Sequence, residues 1–195
     1  MWSKEMLSLF IVGIGETLYM TLGSAIVAYI LGLPVGILLY ITDEGGIKEN
    51  KMVNSVVGTI VNLLRSIPFI LLLVAVMPVT RFIVGTTIGS TATVVPLVIS
   101  AAPYIARMVE SSLKEVDYGV IEAARSMGAN AKQIIFKVLL VEAKPSLIVG
   151  AAITVTTILG YTAMAGMVGG GGLGAIAINY GYYRYQTDDN GNNRS

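Results

Sequence analysis

The stretch EAARSMGANAKQIIFKVLLVEAKP, residues 122–145, is a polar, helix-forming island between segments apolar enough for lipid. Asp117 just before it can cap a helix whose apolar positions Val120, Ala124 and Met127 recur at helical spacing. Gly128 then offers the left-handed backbone that ends such a helix. Asn130 and Gln133 have the spacing of a capping box, and Ile134, Ile135, Val138 and Leu139 after them carry a second helix back towards the membrane. The spacing therefore predicts helix, glycine, helix over about residues 117–145. Two readings of this pair stand side by side: a solvated amphipathic loop resting on the bilayer surface, and a docking surface for a partner.

The flanks decide the fold class. Of the 195 residues 54% are hydrophobic and only 13% charged, with a mean hydropathy of +0.74, whereas soluble domains carry about 25% charge. The chain reads as an all-α integral membrane protein, one domain over 1–187 built by packing membrane helices. A hydrocarbon core about 30 Å thick needs about 20 apolar residues in helix. Runs of that length lie at about 17–41, 53–79, 91–109 and 146–167, the second broken around Arg65 and Pro68. The apolar stretch that follows Lys4 has no small-residue cleavage site at the usual length and is read as retained.

Between the runs lie DEGGIKENK (43–51), a short link at about 81–90, and the island. Lys48, Lys51, Arg107, Lys114, Arg125, Lys132, Lys137 and Lys144 fall on one side, eight basic residues against four (Lys4, Arg81, Arg184, Arg194) on the other. The positive-inside rule then places the island in the cytoplasm. With 13 basic and 12 acidic residues and no long run of either sign, nucleic acid is not an expected partner. The absence of Cys and His removes disulfides, thiol nucleophiles, imidazole bases and the usual zinc sites, so no metal ligand set is expected, while carboxylate chemistry stays open.

EAA, three residues, Gly, nine residues and an Ile-x-Leu-Pro-like end resembles the signature of the permeases of binding-protein-dependent ABC importers. Glu122, Ala123, Ala124, Gly128, Val138 and Leu140 carry that resemblance, while Val141 stands where the family has proline and Pro145 follows slightly later. RSIPFI (65–70), VGTTIG (84–89), AAPYIARMVE (101–110) and GYTAMAGMVGGGGLG (160–174) extend it to the methionine-importing branch over roughly 15–187. The resemblance implies a type I, EAA-loop helical bundle in the bacterial inner membrane, without chemistry of its own. In it, Glu122, Ala123, Ala124, Arg125 and Gly128 pass the motion of a separate ATPase to the membrane helices. It further implies a second copy of the chain, an extracytoplasmic substrate-binding protein and surrounding lipid as partners. ATP and Mg are expected on the ATPase, since the chain has no GxxxxGK[ST] to cradle a phosphate. Met164, Gly160 and Tyr161 are candidates for the pathway or its gate.

Other features carry less. Arg65 inside an apolar run costs at least about 3 kcal/mol unless partnered, and Pro68 frees a backbone carbonyl, so the two are read as a structural kink. Gly169, Gly171 and Gly174 fit GxGxxG, but no strand precedes them, and a flexible outward-facing link is the preferred reading. GLPVG (32–36) fits small-xxx-small packing and is assigned no function. The resemblance implies five membrane helices, of which four are visible, with DNGNNRS in place of the last. The polar tail 188–195 is therefore expected to be disordered or to replace that helix. A truncated subunit that only binds the ATPase or a membrane complex is the rival reading. An intramembrane carboxylate protease is a distant third, because Glu16 is the only acid clearly near a membrane segment.

Overall fold

The computed structural model of the chain describes residues 4–183; Arg184, Arg194 and the tail 188–195 lie outside the described residues. Helix α1 (Lys4–Thr42) is 39 residues long, about 58 Å at 1.5 Å per residue, and carries Pro34 without breaking. It starts well before residue 17, since MLSLFIVGIGE holds no proline and its apolar residues outweigh Gly13 and Gly15. Ile11, Leu18, Leu22, Ile26 and Ile30 are exposed on it, as suits a lipid-facing surface.

The second apolar run is not one helix. Helix α2 (Lys51–Ser66), capped by the Asn50 side chain, ends where Ile67 turns extended (φ −82°, ψ 123°). Pro68 (φ −55°, ψ 136°) cannot donate to the preceding turn and restarts the chain as α3 (Phe69–Ala75). Helix α4 (Met77–Val84) follows and ends on Gly85 in the left-handed region, so Arg81 lies in a helix and not in a link. Helix α5 (Ser90–Lys114) is the third apolar run, extended at both ends. After α6 (Tyr118–Ser126), the short α7 (Ala131–Gln133), a π-helical stretch (Ile134–Leu139) and α8 (Leu140–Glu142), the fourth run is α9 (Lys144–Gly166). Pro145 sits in the first turn of α9, where a missing N–H costs nothing, and the chain bends before it, at Ala143. Helix α10 (Gly172–Ile176) and a second π-helical stretch (Ala177–Tyr183) close the described chain. Among the described residues three helices are long and apolar enough to cross a membrane, and up to four spans if the broken α2 and α3 count as one.

The chain packs as two compact units. One comprises Met1–Ile26, Pro68–Val98 and Val155–Ser195, the other Val27–Ile67 and Ile99–Thr154. In the second unit Leu39, Val61 and Ala106 form a buried cluster flanked by Val35 and Val57. Its contact between α1 and α5 depends on the glycines of GLPVG. A Cβ on Gly32 would stand 2.7 Å from the Ala102 carbonyl oxygen, and one on Gly36 2.5 Å from that of Ala106. Small residues one turn apart let the two backbones touch, which is how helices associate where lipid competes for apolar side chains. The pattern set aside at the sequence level is thus the packing seam of this unit.

In the first unit the glycine-rich segment is a pinned turn and not a loose link. Gly169, Gly171 and Gly172 all have φ between 70° and 87°, a region closed to most side chains. The Glu16 carboxylate accepts the Gly172 N–H at 2.7 Å, and the Thr17 hydroxyl accepts that of Leu173 at 3.0 Å. The Gly169 carbonyl takes the Gly89 N–H at 2.9 Å. Glu16 thereby satisfies the first N–H of α10 from a distant helix.

Candidate functional site

The island lies in the second unit and folds as its caps dictate. Asp117 Oδ1 accepts the Gly119 N–H at 2.6 Å at the start of α6. Gly128 then adopts φ +83°, and its N–H donates to the Arg125 carbonyl. The capping box is complete: Asn130 Oδ1 accepts the Gln133 N–H at 3.0 Å and Gln133 Oε1 accepts the Asn130 N–H at 2.9 Å. Helix α6 packs against the π-helical stretch, burying Ile121, Ala124, Ile134 and Leu139. The buried face of α6 therefore runs through Ile121 and Ala124. Of the three apolar positions expected from the spacing, Ala124 is buried while Val120 and Met127 are exposed, the buried face being rotated towards Ile121.

Among the sequence-selected residues, Ala124 is buried, while Glu122, Ala123, Arg125 and Gly128 are exposed. Together with Tyr118, Met127 (81% exposed) and Phe136 they present a mixed apolar and charged surface hinged at Gly128. Large exposed side chains beside a glycine turn form a surface that either a partner or the face of the bilayer can cover.

A charged network that the sequence reading did not single out stands behind this surface. Glu110, 6% exposed on α5, is held by Arg107 Nη1 at 2.6 Å and Lys114 Nζ at 2.9 Å. Arg107 also donates from Nε to Asn62 Oδ1 at 3.2 Å and from Nη2 to the Gly58 carbonyl at 3.1 Å, joining α5 to α2. Lys114 reaches Asp43 Oδ2 at 2.7 Å, joining α5 to the 43–51 loop, and this ammonium holds the Asp43 carboxyl below its ordinary value. The arginine, acid and lysine spacing (i, i+3, i+7) on one apolar helix was the legible signal, because buried charges are retained only when paired.

The remaining candidates are dispersed. Arg65 is exposed in the last turn of α2, its guanidinium 6.0 Å from the centroid of the Tyr104 ring. In the other unit Tyr161 stacks on Phe69, centroids 4.5 Å apart and planes within 3°, so it is a packing residue of that unit. Gly160 has open space where a Cβ would stand, and Met164, one turn on, is 38% exposed on the same face of α9. Among the described residues no cluster of acids could hold a metal ion.

Residues 32–188 match the family described as binding-protein-dependent transport system inner membrane component. The probable D-methionine transport system permease protein MetI of Vibrio cholerae is 52% identical over 170 residues, 87% of this chain and 76% of the relative. The D-methionine transport system permease protein MetI of Escherichia coli is 53% identical over 164 residues, 84% of this chain and 76% of the relative. Among solved structures, an inward-facing conformation of the MetNI methionine ABC transporter superimposes with a TM-score of 0.92. That chain is 53% identical, and the match covers 94% of this chain and 85% of that one.

Proposed function

Because the chain belongs to the binding-protein-dependent transport system inner membrane components, we propose that it is the permease subunit of an inner-membrane ABC importer for methionine, including its D-isomer. The observation that carries the reading is the joint one. A chain 53% identical to the permease of a solved methionine ABC transporter presents an exposed helix hinged at a left-handed Gly128, with buried packing behind it. The subunit carries no chemistry of its own and moves substrate by alternating access. ATP and its Mg bind the partner ATPase, two copies of the permease form the pathway, and an extracytoplasmic binding protein delivers substrate.

Coupling runs through α6. When the ATPase pair closes, a lateral pull on Glu122, Ala123 and Arg125 is passed to α5 and α9, because Ile121 and Ala124 lock α6 onto the π-helical stretch that leads into α8 and α9. The Asp43, Lys114, Glu110 and Arg107 network makes α5, α2 and the 43–51 loop move as one body. Met164 and Gly160 face the pathway from α9.

Reconstitution tests this directly. The permease, co-expressed with the ATPase encoded beside it, is placed in proteoliposomes with the binding protein outside and ATP inside. ATP-dependent accumulation of labelled methionine is expected. A complex that forms and hydrolyses ATP without accumulating any would favour the non-transporting reading, and failure to form a complex would overturn both.

A further inference from the structure

Two arginines line a cleft of about 440 Å³ in the second unit, and they differ in what they have left to offer. Arg107 uses all three guanidinium nitrogens on Glu110, Asn62 and Gly58. Arg65 stacks over Tyr104, and no carboxylate among the described residues lies within salt-bridge distance of it. It sits about 21 Å along α2 from Lys51 at 1.5 Å per residue, inside the second apolar run. An unpaired cation in such a run is costly in lipid and marks a functional site by default. Part of the cleft wall is apolar and polarisable, Met108, Val149, Gly150 and Ile153, and the rest is polar, Glu115 and three serines. The volume falls in the range of small-molecule sites, about 300–1,000 Å³.

Resting on the importer reading, we infer that this cleft is a transient subsite in the translocation path, in which Arg65 binds the carboxylate of the passing amino acid. The guanidinium carbon stands 6.0 Å from the Tyr104 ring centroid, and its N–H groups suit a two-oxygen acceptor. Met108, Val149 and Ile153 receive an unbranched apolar side chain, the sulfur of Met108 being adaptable to another thioether. Glu115 also lines the cleft but lies beyond salt-bridge distance of Arg65, so it is the Arg65 end of the cleft that reads the carboxylate.

The test is equilibrium binding of radiolabelled methionine to the purified permease–ATPase complex, with the ATPase alone as the blank. N-acetylmethionine should displace the label and methioninamide should not. Arg65→Gln should weaken binding about tenfold, the worth of one charged hydrogen bond, with Arg65→Lys between it and the wild type. Equal competition by methioninamide, or wild-type binding by Arg65→Gln, overturns the inference. So does a wild-type complex that binds no more label than the blank. The competition arm uses the wild-type complex, so it stands even where a variant fails to assemble. ATP-driven uptake by the wild-type complex, measured in parallel, separates the two ideas: uptake without binding sinks the subsite alone, and no uptake sinks the importer reading.

Discussion

Lys114 Nζ stands 2.7 Å from Asp43 Oδ2 and 2.9 Å from Glu110 Oε1, so one ammonium joins a surface loop to an almost fully buried acid. The C-terminal end of α5 is thereby tied to the 43–51 loop, while Arg107 ties its preceding turn to α2. Charges of this kind hold only as a set, because each is compensated by the others.

Arg107→Leu removes the shorter of the two bonds to Glu110 together with the bonds to Asn62 and Gly58 on α2. We expect a loss of about 3 kcal/mol, the scale for breaking a buried pair from one side. Thermal unfolding of the purified protein in detergent measures it. Arg107→Lys should recover part of the loss, since it keeps the charge without the fork.

Acid should undo the loop tether in a defined window. The hydrogen bond from Lys114 lowers the Asp43 pKa, so its contribution is fully present above the unfolded value, about 3.9, and is lost as pH falls through the lower folded value. The stability gap between wild type and Asp43→Asn should be flat above about pH 4 and close below it. A gap that widens on acidification would reverse the sign.

At Gly128 the backbone is left-handed, φ +83°, with open space around a built Cβ. The obstacle to substitution is conformational, about 1–2 kcal/mol for an ordinary residue. Gly128→Val should therefore lower uptake relative to ATP hydrolysis in proteoliposomes, and Gly128→Asn, which tolerates this region, should be much milder. Equal ratios for both variants and wild type would remove Gly128 from the coupling path.

The helix seam makes a steric prediction. Gly36→Ala places a methyl 2.5 Å from the Ala106 carbonyl and should destabilise by about 1–3 kcal/mol through overpacking. Gly15→Ala, with nothing within 4 Å, should not. Unfolding midpoints of the two variants decide between packing and simple helix propensity.

For the outer turn, Glu16→Leu deletes the acceptor of the Gly172 N–H. Hydrogen exchange at Gly172 and Leu173 should quicken while α5 amides are unaffected. Unchanged protection would mean that the glycines hold the turn unaided.

The sequence by itself determined what depends on neighbours in the chain. Length and hydropathy set the membrane class and the four apolar runs. Asp117, Gly128, Asn130 and Gln133 set the starts and stops of the two short helices of the island, because capping is a matter of residues two or three apart. Tertiary structure alone decided what depends on residues far apart. The buried face of α6 passes through Ile121 and Ala124 because the π-helical stretch lies against that side, and in an island apolar on several positions local spacing admits more than one register. Gly32 and Gly36 became a seam only when α5 was laid against them, and the pinned glycine turn needed Glu16, 156 residues away. The same is true of Arg65: its charge is legible in RSIPFI, but its freedom beside a committed Arg107 is a property of packing.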